Sequence, residues 1–360
     1  HKNPSKQRYI AASHSCTTKP LSKMITYCLK LIQRTHNNYC KTIAKNSGYN
    51  RMWIVENSVE VMQKIIDNKR EPARNVRTYD FSTLYTSIPH KKLQDQIAWV
   101  VSQCFNDKSR KFIKIEGGSA RWSSSSGKND YCWNKDELIS HIKWLIANIY
   151  VTCGKSTFKQ KIGIPMGTDC APFLANLFLF AYEYKWLTKK FKAKEFDDLK
   201  KFNLCFRYID DLLCINNDQL MDEAMTDIYP DELKLTSDDA VKQCHYLDLD
   251  LDIRNGQIHS KLFDKRDAFG FSIVNYPDLS GNIPAKQSYG VFVSQLIRYG
   301  RCCMSITDFI HRTRALVRKL TKQGFRPKKL RQVFEKFVCD YYELLFKYGC
   351  SIDYICDSCC

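Results

Sequence analysis

Leu204-Cys-Phe-Arg-Tyr-Ile-Asp-Asp-Leu-Leu-Cys-Ile215 is the stretch on which the reading of this chain turns. It alternates like a strand, yet two adjacent acids, Asp210 and Asp211, interrupt the apolar run on both sides. An ionised carboxylate held near a core is costly unless it is paired or coordinated to a metal. The pattern predicts two short strands meeting at the acids. Taken alone, a hairpin whose turn happens to use Asp, a favoured turn residue, explains it equally well.

A second acid, 130 positions earlier, changes the weighing. In Arg77-Thr-Tyr-Asp-Phe-Ser-Thr-Leu-Tyr-Thr-Ser-Ile-Pro89, Asp80 closes a strand-like run and Tyr85 follows five residues later. By itself Asp80 would be a helix cap. One carboxylate from a strand and two from a hairpin, however, are what two divalent cations need. Such cations sit about 3.5–4 Å apart, activate a nucleophilic oxygen and stabilise a leaving one. Mg²⁺ suits the task because it takes few carboxylates and fills its shell with water and substrate phosphates; Mn²⁺ is a possible substitute. Between the two acidic segments stands Lys161-Ile-Gly-Ile-Pro-Met-Gly-Thr-Asp-Cys-Ala-Pro172. Its two glycines around a proline allow close backbone approach to a flat ligand. Thr168 and Asp169 are cap candidates for the apolar helix Ala171–Leu187, with Pro172 in its first turn.

Outward from these segments the order is helical, then mixed, then helical. Residues 1–76 are basic and mostly helical in spacing. Val76–Ile88 is β-rich, and the polar stretch 106–131, with Gly117-Gly118 and Ser123–Ser126, predicts a mobile loop or linker. Leu138–Tyr150 returns to helical spacing and Phe158–Ile164 is strand-like. A helix is expected over Gln219–Ile228. Strands are expected at Leu233–Thr236, Cys244–Ile253 and Gln257–Phe263, the last two joined by a turn at Arg254-Asn255-Gly256. From Tyr289 onward the spacing is helical.

The chain has 360 residues, 44% hydrophobic and 26% charged, an ordinary globular balance that excludes disordered, collagen-like and coiled-coil chains. Its 56 Lys and Arg against 38 Asp and Glu give +18, which points to a polyanionic partner. No run of about 20 apolar residues argues for a membrane span, and no signal-peptide pattern opens the chain. Seventeen scattered cysteines, an odd number, predict reduced thiols in a nuclear or cytoplasmic compartment. Cys356 and Cys359 have a CxxC spacing near Cys350, but ordinary thiols account for them and no metal is placed there. The opening residue, His1, predicts a fragment of a longer protein.

Asp80 with Tyr85, Gly163-Ile-Pro-Met-Gly167 and Tyr208-Ile-Asp-Asp211 stand in the order of reverse-transcriptase motifs A, B and C. Cys244-His-Tyr-Leu-Asp-Leu-Asp-Leu-Asp252 resembles the primer-grip region that follows, and Lys2-Asn-Pro-Ser-Lys-Gln-Arg-Tyr-Ile10 is similar to the fingers motif that contacts triphosphate. Across nearly its whole length the chain resembles the Penelope-like retroelement polymerases, which are related to telomerase reverse transcriptase.

The resemblance implies an α+β right-hand polymerase with helical fingers, an antiparallel-sheet palm and a helical thumb. The expected bounds are fingers at 1–76 (partial), palm at 77–284 with the insertion 106–131, thumb at 285–347 and a Cys-rich tail at 348–360. It implies RNA-directed DNA polymerisation with an RNA template, a DNA primer and deoxynucleoside triphosphates. Asp80, Asp210 and Asp211 carry over as metal-binding carboxylates, joined by the carbonyl of Phe81. Tyr85 carries over as a steric gate against a ribose 2′-hydroxyl, Gly167 as a neighbour of the nascent base pair, Arg8 and Lys6 as triphosphate contacts, and Lys234 as general acid for pyrophosphate departure. Twelve bases against two acids between Arg298 and Lys336 suit a thumb gripping duplex phosphates; Arg312, Arg318, Lys319, Lys322, Lys328 and Lys329 are the expected contacts. An inactive relic that still binds nucleic acid and an RNA-dependent RNA polymerase are the competing readings, and Tyr85 disfavours the latter.

Overall fold

A computed structural model describes residues 16–68, 71–105, 108–126, 131–238, 241–271, 273 and 275–359. In chain order the helices and strands are α1 (Lys19–Ser47), α2 (Ser58–Asp67), β1 (Val76–Ser82), α3 (Leu84–Ser87), α4 (His90–Cys104), β2 (Phe112–Glu116), β3 (Ser119–Ser123), β4 (Tyr131–Asn134), α5 (Lys135–Ala147), β5 (Tyr150–Cys153) and β6 (Ser156–Lys159). They continue with α6 (Ala171–Lys192), α7 (Phe196–Lys201), β7 (Cys205–Tyr208), β8 (Asp211–Ile215), α8 (Leu220–Ile228), β9 (Lys234–Ser237), β10 (Gln243–Tyr246), β11 (Leu249–Arg254) and β12 (Gln257–Leu262). The remaining helices are α9 (Ala285–Cys302), α10 (Ile306–Lys322), α11 (Pro327–Asp340), α12 (Tyr342–Leu345) and α13 (Ile352–Cys359). Among the described residues no helix is long and apolar enough to cross a membrane.

Packing divides the chain into two compact units, neither of them continuous: 1–54 with 79–238, and 55–78 with 239–360. The first unit is built on α6. Its sequence is apolar nearly all round, the signature of a helix enclosed on every side, and twelve of its residues are buried. Pro172 in the first turn suits a start where N–H groups have no helical partner. Neither expected cap is used: Cys170 is the N-cap residue, and Asp169 instead pairs with Lys19 of α1 at 3.0 Å. The central sheet of this unit has the order β7-β8-β1-β9.

The stretch 106–131 does not behave as the loop its composition suggests. Its described residues contain β2 and β3, and with β4 they form an antiparallel sheet in the order β3-β2-β4. Gly117 and Gly118 make the hairpin turn, both in the left-handed region at φ 56° and 76°, as a tight two-residue turn requires. Trp122 fastens this sheet, its indole N–H donating to Thr35 Oγ1 of α1 at 3.0 Å.

In the second unit β10, β11 and β12 form an antiparallel meander. The expected single strand Cys244–Ile253 is therefore two strands. The chain reverses where Leu247 takes φ 55°, and Asp248 is held there by Arg298 of α9 at 3.1 Å. The helices α9 to α11 follow. Ser305 caps α10 by accepting from Thr307 N, and α11 carries a proline in its first turn.

One buried ion pair organises the sheet of the first unit. Arg207 of β7 and Glu183 of α6 are 0% and 1% exposed. All five guanidinium N–H groups find acceptors. Nε donates to Glu183 Oε1 at 2.6 Å and Nη2 to Glu183 Oε2 at 3.1 Å. Nη1 donates to Asn176 Oδ1 at 2.9 Å and to the Ile209 carbonyl at 3.1 Å, and Nη2 also reaches the Asn176 carbonyl at 3.1 Å. The Tyr229 hydroxyl donates to Glu183 Oε1 at 2.9 Å. Removing one partner strands the other charge in the core, so Arg207→Met should lower stability by about 3–5 kcal/mol. Adding Glu183→Leu should recover most of that loss. Urea denaturation midpoints of the single and double variants measure both.

Candidate active site

β7 and β8 pair antiparallel with Tyr208 opposite Asp211, leaving Ile209-Asp210 as a two-residue connection. Ile209 has φ 57°, a conformation in which a β-branched residue is a genuine outlier. Such strain costs on the order of 1–3 kcal/mol and persists only where surroundings over-determine it. Here the bond from Arg207 to the Ile209 carbonyl supplies that constraint from below. The acid-bearing turn is thus held in a set shape by a side chain one residue before Tyr208.

β1 brings the third acid alongside. Its burial alternates, with Tyr79 and Phe81 buried and Asp80 exposed between them. The Phe81 N–H donates to the carbonyl of Asp210 at 3.1 Å, so the backbones of Asp80-Phe81 and of the acidic turn are direct neighbours. The Phe81 side chain goes to the core, edge-on to Tyr229 at 4.9 Å between ring centroids. On the other side of β1, Asp80 stands opposite Thr236 of β9, whose Oγ1 donates to the Asp80 carbonyl at 3.2 Å. Lys234, exposed, stands opposite Ser82 in the same pairing.

Tyr85 lies on the single turn α3 after β1. Its ring is partly buried, and its hydroxyl pKa is pushed up to about 12, first by burial and then by the negative charge of Asp210 and by Tyr208. Tyr85 is therefore neutral, and it stands within electrostatic reach of the acidic turn. The Gly-Pro-Gly loop docks on the same short helix. Gly163 N–H donates to the Ile88 carbonyl at 2.8 Å and Ile164 N–H to the Tyr85 carbonyl at 2.6 Å, while His90 Nε2 meets the Gly163 carbonyl at 2.8 Å. Gly163 has φ 82°, and a Cβ there would lie 2.5 Å from the Tyr85 carbonyl oxygen. Gly163 thus serves close approach to the protein's own backbone. Gly167, half-buried, lies in the turn closed by Thr168 N–H on the Pro165 carbonyl at 3.1 Å.

The donor set at the strand ends is all carboxylate oxygen, the ligand type Mg²⁺ takes, and such a site draws only one or two carboxylates from the protein. Among the described residues no three His, Cys, Asp or Glu side chains are grouped closely enough to hold an ion by themselves. A metal held here would draw most of its shell from substrate and water.

Arg8 and Lys6 lie outside the described residues. In the second unit, Arg312, Arg318, Lys319 and Lys322 of α10 line one cleft of about 360 Å³ with Arg266 and Tyr276. Arg312 is engaged there, paired with Asp267 and donating to the Leu262 carbonyl at 2.9 Å. Lys319 Nζ stands 5.4 Å from the Tyr276 ring centre. Lys328 and Lys329 occupy the first turn of α11, outside that cleft. Arg207, Glu183, Asn176 and Tyr229 are the residues the sequence reading missed. The available signal was Glu183 and Asn176, seven positions apart and so on one face of an apolar helix.

No protein-family model matches the chain, and no curated protein does. Among solved structures it is similar to telomerase from Candida albicans in complex with a TWJ fragment of telomeric RNA, at a TM-score of 0.55 and 13% identity, over 91% of this chain and 52% of that one. Apo telomerase from Candida tropicalis matches at a TM-score of 0.46 and 13% identity, over 92% and 55%. The chain spans about half the length of these telomerase chains. The Candida albicans match shows a shared mixed helix-and-sheet fold; at this identity it shows no more.

Gly163→Ala should cost well over 1 kcal/mol, because strain at positive φ and a backbone clash act together. Gly154→Ala is the control: φ there is 62°, with nothing within 4 Å of the added Cβ, so strain alone should cost about 1–2 kcal/mol. Thermal melts of the two variants separate clash from strain.

Proposed function

We propose that this chain is an RNA-directed DNA polymerase of the reverse-transcriptase kind, from a Penelope-like retroelement, extending a DNA primer on an RNA template. The observation that carries the proposal is the Phe81 N–H bond to the Asp210 carbonyl, which makes the strand of Asp80 the neighbour of the Asp210-Asp211 turn. The order of the three motifs supports it, and so does the fold shared with a telomerase.

Asp80, Asp210 and Asp211 would hold two divalent cations, Mg²⁺ in the first instance, with the Phe81 carbonyl beside them. Such ions, when bound, lower the pKa of an attacking hydroxyl and neutralise a leaving pyrophosphate. The chain's own residues do the rest. The neutral ring of Tyr85, fixed beside Asp210, crowds the position of a ribose 2′-hydroxyl and so selects deoxynucleotides. Gly167 leaves room for the nascent base pair. Lys234 Nζ donates a proton to the departing pyrophosphate oxygen, and Arg8 and Lys6 bind the triphosphate. The basic cleft of α10 takes duplex phosphates, the sequence-independent part of nucleic-acid affinity.

Primer extension on a defined RNA template with Mg²⁺ tests the assignment. Asp210→Ala should reduce incorporation by more than the roughly 10–100-fold that loss of a group merely supporting a metal ligand costs; persistence of activity would refute the site. Tyr85→Ala should raise ribonucleotide use relative to deoxynucleotide use. Wild-type preference for ribonucleotides would favour an RNA-dependent RNA polymerase, and RNA binding without incorporation under any metal would favour an inactive relic.

A further inference from the structure

The helix α1 carries six bases, Lys19, Lys23, Lys30, Arg34, Lys41 and Lys45, and no Asp or Glu in its 29 residues. The last five are exposed. Spaced seven, four, seven and four positions apart, they fall within about 60° of one another at 3.6 residues per turn. Ile25, Cys28, Leu29, Ile32 and Cys40, all buried, occupy the opposite side. From Lys23 to Lys45 the row is about 33 Å long at 1.5 Å per residue. A solvated helix face normally intersperses acids at i±4 to relieve such repulsion. Among the described residues none of these five bases forms a salt bridge with a residue of α1 or of any packed element.

From Arg34 a groove of about 490 Å³ runs round one flank of α1, lined also by Tyr39, Arg110 and Trp122, with Tyr39 about 140° round the helix from Arg34. Tyr39 is 56% exposed. The Trp122 indole is held in place by Thr35 and by Phe105, edge-on at 5.0 Å, with the Arg110 guanidinium 5.8 Å from its ring centre. Planar rings and guanidinium groups next to a line of positive charge are the parts of a single-strand binding surface: charge follows the backbone and rings stack on unpaired bases. The start of α1 is also tied to the segment that follows Gly167. Lys19 pairs with Asp169 at 3.0 Å and the Ser22 hydroxyl meets Cys170 Sγ at 3.6 Å, so the first turns of α1 are tied to the start of α6.

We propose that α1 and its groove form a track for single-stranded RNA, with phosphates on the row from Lys23 to Lys45 and unpaired bases on Tyr39 and Trp122. Identifying that strand as the unpaired template leading to or from the active site rests on the polymerase reading; the track itself does not. A duplex offers the rings no open base faces. An anionic membrane is the other polyanion, but the apolar side of α1 is spent on the core, leaving none to enter a bilayer.

The test uses the full chain, an RNA of about ten nucleotides, close to the row's length at the stacked rise of 3.4 Å, a blunt duplex of equal length, and phosphatidylserine vesicles. Lys23→Gln, Lys30→Gln, Arg34→Gln and Lys41→Gln combined should weaken single-strand binding and lower the slope of log affinity against log salt by about 3, four contacts at about 0.7 each. Duplex binding should change much less. Tyr39→Ala, at an exposed site, should weaken single-strand binding roughly tenfold and leave the salt slope alone. An unchanged slope, an equal loss for duplex, or a loss confined to vesicles overturns the track. Asp210→Ala should bind the single strand like wild type. If wild type extends no primer while the row variant still loses RNA, the polymerase reading falls and the track stands.

Discussion

A guanidinium with no access to water lies beneath the acidic turn, and the geometry of the first unit follows from satisfying it. Arg207 cannot shed its charge, so each of its N–H groups needs an acceptor inside the protein. Glu183 and Asn176 supply three acceptor atoms from one face of α6, and the Asn176 and Ile209 carbonyls add the backbone itself. Five bonds from one planar group fix the β7–β8 hairpin against α6 in both position and rotation. A well-packed apolar substitute could match the stability of such a pair. It could not bond the Ile209 carbonyl and so hold a left-handed isoleucine in the turn between Tyr208 and Asp211. The network therefore contributes shape at the place where shape decides which way two carboxylates point.

The same logic extends to the loop that docks on the helix of Tyr85. The Ile88 and Tyr85 carbonyls accept from Gly163 and Ile164, and the missing Cβ of Gly163 lets the two backbones meet. Tyr85 is thus pinned from its own carbonyl while its ring stands in the field of Asp210. Burial and a neighbouring negative charge act in the same direction on its hydroxyl, both favouring the neutral form. Tyr85 therefore stays neutral beside the acidic turn.

The acids were legible because each broke an apolar run, and a carboxylate in such a run demands a partner. Their convergence was a chemical requirement; what the structure adds is a backbone bond from Phe81 to Asp210 that no side-chain pattern announces. Arg207 sat inside the quoted stretch and went unread because Glu183 and Asn176, which supply most of its bonds, are more than twenty residues away, within a helix whose apolarity reads as plain core. The stretch 106–131 misled through its polarity: strands such as β3, covered on one side only, need few apolar residues, and Gly117-Gly118 reads as loop or as hairpin turn alike. The break at Leu247 left one mark, a change of phase in the alternation where Tyr246 and Leu247 stand side by side, but leucine itself has no preference for the left-handed region. The discontinuous units, with 55–78 joined to 239–360, depend on pairings that local periodicity does not encode.

Charge shows the limit of local counting most clearly. The window from Arg298 to Lys336 is strongly basic as a string, yet the fold brings acids to it from outside: Asp248 to Arg298, Asp267 to Arg312 and Asp357 to Arg331. An ion pair at a surface adds little stability, but it does decide how much of a cation's field remains for a partner. In the α10 cleft that leaves Arg318, Lys319 and Lys322 without an ion pair among the described residues, fewer than the string suggested. α1 is the reverse case. Its six bases are diluted among apolar residues and attract no notice in sequence, but helical spacing gathers five of them into one line and no described acid answers them. Of the two surfaces, the one less conspicuous in the sequence keeps more of its field, because counterions and a polyanion are all that remain to neutralise it.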